Sequence, residues 1–173
     1  HMTMPVGYTS LEEEYASLIK DVTLWDVAAE RQVQVIGEDA AKFVQYLTPR
    51  DLSTLKNGFC RYAFLTDENG GIINDPLILK FNDQKFWISI ADTDVLLWCK
   101  GVALSKKFKV EVSEPEACPL SLQGPKAKDL MQKITNNNEA IMGLKYYEFI
   151  ETKLFDLDLV VARSGWSNQF GYE

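Results

Sequence analysis

A lone carboxylate inside an apolar segment is the first feature of this sequence that could do chemistry. Asp75 follows Gly70-Gly71-Ile72-Ile73-Asn74 and precedes Pro76 in an otherwise apolar stretch. Burying a carboxylate is costly unless a partner compensates for its lost hydration. Either Asp75 faces water at a strand bulge beside Pro76, or it faces a ligand. Composition alone favours the first alternative, and the second makes Asp75 a candidate catalytic residue.

Two polar side chains on neighbouring segments, and an aromatic tail, could belong to the same site. Tyr62 lies on the predicted partner strand of Asp75, and Ser89 lies on the strand that follows. Taken singly, each of them is more typical of a residue in the core or on the sheet surface than of a site residue. The tail from Trp166 to Glu173 contains glycines that allow a ligand to approach the backbone closely. It lacks the lysine and the spacing of a phosphate-binding loop.

The scarcity of histidine removes several classes of enzyme. His1 is the only histidine, and His1-Met2 resembles a cloning or tag-cleavage scar. Without an imidazole there is no Ser-His or Cys-His pair and no usual zinc site. The three cysteines form no CxxC pair, so we expect reduced thiols and no metal. Cys60 and Cys99 lie in apolar runs and are predicted to be buried.

Charge and hydropathy restrict the partners. The formal net charge is −7, with 25 acidic against 18 basic residues, which disfavours a nucleic-acid partner. No segment approaches the roughly 20 apolar residues that a membrane span needs. The start of the chain is polar and acidic and does not resemble a signal peptide. We therefore expect a cytoplasmic protein without a membrane partner.

The elements that would position these residues follow from apolar periodicity and turn signals. Ser10-Leu11-Glu12-Glu13 is a capping box before a helix over residues 11–20, and an apolar stripe predicts a helix over 39–47. Asn69-Gly70 predicts a hairpin between strands over 60–66 and 71–81. A third strand over 86–90 would complete an antiparallel meander.

The remaining segments extend the same pattern. Further elements are predicted as strands over 32–35, 109–112, 145–150 and 154–163, and as helices from Asp92 or Thr93 to Lys106 and from Gly124-Pro125 onward. Neither a repeat nor a linker interrupts this order, so the sequence predicts one α+β domain.

Segments along nearly the whole chain are similar, in the right order, to the glycine-cleavage T-protein (aminomethyltransferase) family. These segments are Asp26-Val27, Ile36 to Phe43, Tyr62 to Leu65, Asn69 to Ile72 with Asp75, and Leu122 to Ala127. The late signature of the family, approximately GYTGExGFE, is matched by Gly165-Trp166-Ser167 and Phe170 to Glu173.

Within this superfamily the chain resembles the dimethylsulfoniopropionate demethylases more than the T-proteins. The similar segments are Trp25 to Val33, Thr48 to Leu52, Gly70 to Pro76, Trp87 to Asp92 and Arg163 to Ser167. The typical T-protein has tyrosine where Trp166 stands and asparagine where Ser89 aligns. Both departures follow the demethylase pattern.

The resemblance implies a fold and a set of site residues. The fold is the α+β folate-binding fold of the aminomethyltransferases, with antiparallel sheets, flanking helices and tetrahydrofolate in a central channel. Asp75 matches the active-site aspartate near N5 of the pterin, and Glu173 matches the glutamate that hydrogen-bonds the pterin ring. Tyr62, Ser89 and Trp166 match positions that line the pocket.

The activity that the resemblance implies is transfer of a methyl group from dimethylsulfoniopropionate to N5 of tetrahydrofolate. Three alternatives stay open: aminomethyl transfer as in the glycine cleavage system, a related folate-dependent demethylation, and a folate-binding regulatory module without turnover. An interaction fragment without any ligand is a further alternative. The expected partner is a small-molecule methyl donor, and a homodimer is left open.

The position of the last residue predicts a fragment. The sequence stops at Glu173 within the late signature, where a further strand begins. We expect residues 1–173 to be the amino-terminal portion of the folate-binding region, apparently truncated, with residues 1–2 as a scar and the carboxy-terminal domain missing.

Overall fold

The computed structural model describes residues 5–91, 94–136 and 138–173 of an α+β protein. Its helices are α1 (Leu11–Lys20), α2 (Ala40–Tyr46), α3 (Val95–Lys106), α4 (Ala127–Ile134) and α5 (Glu139–Met142). Its strands are β1 (Thr23–Asp26), β2 (Gln32–Ile36), β3 (Phe59–Tyr62), β4 (Leu65–Thr66), β5 (Ile72–Asn74), β6 (Leu77–Asn82), β7 (Lys85–Ser89), β8 (Glu111–Ser113), β9 (Leu120–Gln123), β10 (Phe149–Leu154), β11 (Leu157–Ala162) and β12 (Gly171–Tyr172).

These elements form two compact units. One, here called the central unit, is the continuous segment Ala29–Cys118. The other, here called the composite unit, combines His1–Ala28 with Pro119–Glu173. Every strand pair in both units is antiparallel, as the meander and the hairpin signals predicted.

The central unit is built on a five-stranded sheet in the order β3-β6-β7-β2-β8. Alternate residues of the inner strands, such as Val33, Ile78 and Ile88, point to one face and are fully buried. Phe43 of α2 and Val95 of α3 pack into the same core. The core therefore covers one face of the sheet, and the other face carries the polar members of the alternating pattern.

The composite unit contains the three-stranded sheet β1-β9-β12 and the hairpin β10-β11. Its core is smaller and is formed by Met131, Ile141, Val161 and Tyr172. The last strand, β12, is short, but its neighbour Glu173 continues the backbone pairing by exchanging two hydrogen bonds with Ala162. This pairing holds the backbone of Glu173 against β11.

Local sequence signals account for several of these elements. The predicted helix over residues 11–20 is confirmed with the same bounds, and both hydrogen bonds of the capping box between Ser10 and Glu13 are present. Cys60 and Cys99 are buried as predicted, and burial raises the pKa of the Cys99 thiol to about 12. None of the three cysteines, all of which are described, forms a disulfide.

The two long strands predicted over residues 60–66 and 71–81 are wrong as continuous elements. Each is divided: the first into β3 and β4, and the second into β5 and β6. A register shift occurs between Leu65 and Thr66, and Pro76 has no amide hydrogen to continue a ladder. Asp75 therefore lies in a break between two strands. The predicted Asn69-Gly70 hairpin is confirmed, and it joins β4 to β5.

The predicted bounds of several other elements also differ from those in the structure. The predicted cap at Asp92 or Thr93 lies outside the described residues. The helix expected at Gly124-Pro125 begins only at Ala127, and the strand expected over 109–112 spans Glu111–Ser113. After the predicted loop at residues 136–138, of which Asn137 lies outside the described residues, comes α5, a helix that the sequence did not indicate. Its cap is Asn138, whose side chain accepts from the amides of Ala140 and Ile141.

The closing hairpin turns at residues 155–156 and not at 151–153, where the sequence predicted the turn. The strands expected over 145–150 and 154–163 are β10 and β11, and Leu154 pairs with Leu157 around a two-residue loop. Phe155 and Asp156 both adopt positive φ, 53° and 63°. A two-residue loop with this backbone corresponds to a type I′ turn, which favours Asn-Gly. Phenylalanine is a poor residue for such a position, so the sequence did not mark the turn.

Asparagine and glycine at these two positions should stabilise the hairpin. In the double variant Phe155→Asn with Asp156→Gly, both residues adopt positive φ at lower cost. We expect the free energy of unfolding in urea to rise by about 1 kcal/mol. As a control, Lys153→Gly on β10 should lower it by roughly 0.5–1 kcal/mol, because glycine weakens a strand interior. A double variant no more stable than the wild type would contradict a strained turn.

Candidate functional site

A hydrogen-bonded pair in the central unit contains two of the predicted site residues. Asp75 lies half-buried between β5 and β6, directly before Pro76, and Tyr62 is the last residue of β3. The Tyr62 hydroxyl donates to Oδ2 of Asp75 over 2.8 Å. The Phe64 ring packs edge-on against the Tyr62 ring, with 5.4 Å between centroids. Asp75 thus has the partner that a half-buried carboxylate requires.

The hydrogen bond to Asp75 favours the protonated form of the Tyr62 hydroxyl. Donation to the Asp75 carboxylate raises the pKa of the Tyr62 hydroxyl above its ordinary value, and desolvation adds to this effect. Tyr62 therefore remains a protonated donor at neutral pH. The contact engages Oδ2 of Asp75, and Oδ1 has no hydrogen-bond partner among the residues that the structure describes. The carboxylate keeps one oxygen available to accept a proton or a hydrogen bond.

Ser89 lies on the same row of the sheet as Tyr62. The register pairs Tyr62 with Leu77, Leu77 with Ser89, and Ser89 with Gln32 across four adjacent strands. Directly opposed residues point to one face, so this row lies on the face away from the core. Two strand spacings separate Tyr62 from Ser89, roughly 10 Å. The two share a surface without touching.

Gln32 completes this row and was not singled out by the sequence. Its amide nitrogen donates to the hydroxyl oxygen of Ser89 and to the carbonyl of Glu30, each over 2.8 Å. Only 6% of Gln32 is exposed, and its side-chain oxygen has no partner in the described part of the chain. An unpaired buried acceptor is unusual in a folded protein. A glutamine in an alternating strand gives no sequence signal for this arrangement.

Glu173 lies in a polar cluster of the composite unit. Its two carboxylate oxygens accept hydrogen bonds from Ser121 of β9, over 3.3 Å, and from Ser164, which follows β11. Both serines are almost fully buried, and Glu173 is half-buried. The sequence pointed to Glu173 but not to the two serines, because isolated serines in strands are common.

The buried side chain of Gln123 organises this cluster. Its amide nitrogen donates to the hydroxyl oxygen of Ser121 over 3.0 Å and to the backbone carbonyl of Ser164 over 3.1 Å. Its oxygen accepts from the Ser167 hydroxyl over 2.7 Å. Every polar atom of the amide is thereby paired, as a buried glutamine requires.

Trp166 lies in the same loop as Ser167 and is 72% exposed. The indole therefore presents a large apolar and aromatic surface to solvent. Such a surface suits a ligand that stacks on a ring or a cation that lies over it.

The five predicted residues thus fall into two groups. Tyr62 and Asp75 are in contact and share a face of the central unit with Ser89, whereas Trp166 and Glu173 belong to the composite unit. Within the described ranges, no cluster of three acidic, cysteine or histidine residues could hold a metal ion. No helix in those ranges has the length and apolar character needed to cross a bilayer.

Comparison with known proteins shows the family to which this chain belongs. The whole chain, residues 1–173, matches the family described as the GCVT N-terminal domain, and the protein belongs to that family. Its fold is the α+β fold of the aminomethyltransferases. The glycine cleavage system aminomethyltransferase T from Bartonella henselae superimposes with a TM-score of 0.82 at 23% identity, over 92% of this chain and 43% of that chain.

Two curated proteins and a further solved structure are also similar to this chain. A dimethylsulfoniopropionate demethylase, DmdA, of Ruegeria pomeroyi is 39% identical over 173 residues, 100% of this chain and 47% of that protein. An aminomethyltransferase of Thermosipho melanesiensis is 32% identical, over 98% of this chain and 47% of that protein. A heterotetrameric sarcosine oxidase of Corynebacterium shares the fold, with a TM-score of 0.63 at 19% identity over 91% of this chain and 78% of that chain. The chain spans about half the length of the curated relatives.

The Tyr62–Asp75 pair predicts the titration of a single tyrosine. Asp75→Asn removes the negative charge that holds the phenol proton, so the pKa of Tyr62 should fall towards the ordinary range. The measurement is a pH titration by NMR of protein labelled at the tyrosine ring carbons. Asp67→Asn is the matched control, because Asp67 accepts from backbone amides of its own turn. A Tyr62 pKa that is the same in wild type and Asp75→Asn would contradict the contact.

Proposed function

We propose that the protein containing this chain transfers a methyl group from a sulfonium compound, dimethylsulfoniopropionate, to N5 of tetrahydrofolate. The observation that carries the proposal is the 39% identity to the Ruegeria demethylase, which extends over the whole chain. The residues at Ser89 and Trp166 follow the demethylase pattern and not the T-protein pattern. The half-buried Tyr62–Asp75 pair supplies a positioned carboxylate for this chemistry.

The reaction makes modest demands on acid–base groups. The lone pair of N5 attacks the methyl carbon in line with the carbon–sulfur bond. The nitrogen–carbon bond forms, the carbon–sulfur bond breaks with both electrons left on sulfur, and a neutral thioether departs. N5 gives up its proton. Because the leaving group needs no protonation, positioning and desolvation carry most of the catalysis. The lack of a histidine beyond His1 is compatible with this chemistry.

Asp75 would orient N5 and receive its proton. The Tyr62 hydroxyl holds one carboxylate oxygen in place, and the other oxygen is open for the ligand. A single positioned acid–base or electrostatic group contributes roughly 10²–10⁴ in rate. In this proposal Tyr62 keeps Asp75 in one orientation, and Ser89 lines the same face of the sheet.

Glu173 and Trp166 would serve the binding of the two substrates. The Glu173 carboxylate, held by two serine hydroxyls, suits the N–H groups of a pterin ring. The exposed indole of Trp166 suits a sulfonium cation, and such cation–π contacts contribute roughly 0.5–2 kcal/mol.

The first test is a turnover assay of the full-length gene product with tetrahydrofolate and a panel of methyl donors. We expect methyltetrahydrofolate and a thioether in equal amounts from dimethylsulfoniopropionate. Asp75→Asn should lower kcat by about 10²–10⁴, with little change in folate affinity. Asp129→Asn, an exposed position on α4, is the matched control and should keep wild-type turnover. A kcat of Asp75→Asn within about threefold of wild type would leave the role of Asp75 without support.

Aminomethyl transfer is the second candidate, and the 32% identity to the Thermosipho aminomethyltransferase favours it. That reaction releases ammonia from an aminomethyl group on a lipoyl arm, and it requires a docked carrier protein and more proton handling. The two candidates separate in one experiment. Turnover with an aminomethyl-lipoyl carrier but not with a sulfonium would replace the demethylase assignment, and folate binding without either turnover would indicate a binding module.

A further inference from the structure

The hydrogen bonds around Glu173 have a defined direction. The backbone carbonyl of Ser164 can only accept, so the Gln123 side chain must turn its nitrogen towards that carbonyl and towards Ser121. The Ser121 oxygen accepts from Gln123, and its own proton is then directed to Glu173. The Ser164 hydroxyl donates to the second carboxylate oxygen. Glu173 therefore receives one hydroxyl proton on each oxygen.

Close packing also restricts the side chains of the polar cluster around Glu173. Gly165 and Gly171 lie directly against the Gln123 amide, and a β-carbon at either position would overlap it. Gly165 has a φ of +143°, which other residues rarely adopt. Gln123, Ser121 and Ser164 are each at least 96% buried. The amide and both hydroxyls have little freedom to rearrange, so their orientation exists before any ligand binds.

Two acceptor positions on Glu173 remain open. Each carboxylate oxygen can accept about two hydrogen bonds, and one serine uses a single position on each. The other position on each oxygen suits a flat ligand edge that carries two adjacent N–H donors, because a carboxylate and such an edge match in a bidentate pair.

We propose that Ser121 and Ser164 are positioning residues that hold the Glu173 carboxylate oriented to accept two N–H groups of a ligand edge, such as the aminopyrimidinone edge of a pterin. The inference rests on the proposed function, because it takes tetrahydrofolate as the ligand. It extends that function to two residues that do not touch the reacting atoms. Gln123 fixes the direction in which Ser121 donates.

Other charged groups near Glu173 have different partners. Arg163 donates to the carbonyl of Gly171 and lies over the Phe170 ring, 3.6 Å from its centroid. The remaining ionisable side chains on the adjoining elements are Asp26 on β1, Asp158 on β11, Tyr172 on β12, and the exposed Lys128, Asp129 and Lys133 on α4. Among the described residues, none of them forms an ion pair or hydrogen bond with Glu173.

The test is tetrahydrofolate binding by the full-length gene product at neutral pH, measured anaerobically by calorimetry. Removing a hydroxyl donor frees the Glu173 carboxylate to turn away from the ligand edge. In Ser164→Ala and Ser121→Ala, the dissociation constant should therefore rise about tenfold over wild type.

Three further variants keep the outcome clear. Ser164→Cys keeps nearly the same volume with a weaker donor, so it should lose less affinity than Ser164→Ala and fold if Ser164→Ala does not. In a Glu173→Gln background, Ser164→Ala should lower the affinity no further. Thr135→Val removes a buried hydroxyl of the same unit, which donates to the carbonyl of Met131, and should leave the affinity unchanged.

The outcomes separate the two proposals. Wild-type affinity in both serine variants, with loss of thermal stability alone, would show that the serines are structural and would overturn this inference. The proposed function would then stand. Failure of the wild-type protein to bind tetrahydrofolate would overturn the proposed function and this inference with it.

Discussion

The composite unit depends on the buried amide of Gln123. This one side chain links β9 to the segment after β11 and to the loop that carries Trp166, through three hydrogen bonds of its amide. An amide in an apolar interior is costly when it is unpaired. Its full set of partners exists only when Gly165 and Gly171 approach closely from the side. Glycine at these two positions is thus required by packing as well as by the backbone.

The elements with strong local signals could be predicted from the sequence. A capping box and an apolar stripe specified α1, and Asn69-Gly70 specified the hairpin of β4 and β5. The division of the long strands was not predicted, because apolar periodicity continues through a break such as Asp75-Pro76. The turn at Phe155-Asp156 was missed because its residues are not those that a type I′ turn favours. There, tertiary contacts override local preference.

The candidate site was predicted in a different way. The spacing of residues gave only an ambiguous carboxylate at position 75, and the resemblance to a family gave Tyr62, Ser89, Trp166 and Glu173. The contact between Tyr62 and Asp75 depends on strand register, which local sequence does not specify. Gln32 and the two serines that hold Glu173 lie in ordinary strands. Their importance becomes visible only when hydrogen bonds between distant segments are drawn. The roles of all these residues in binding and turnover remain predictions.

The discontinuity of the composite unit has a consequence for the way the chain folds. Thr23 pairs with Gln123, 100 residues further along, and the whole central unit lies between them in the sequence. Closing so long a loop costs entropy, and contacts of this separation slow folding. On the ribosome, β1 must wait for the central unit to be synthesised before its partner β9 emerges. A central unit that has already folded would shorten the effective loop, so we expect it to form first and to bring the two halves of the composite unit together.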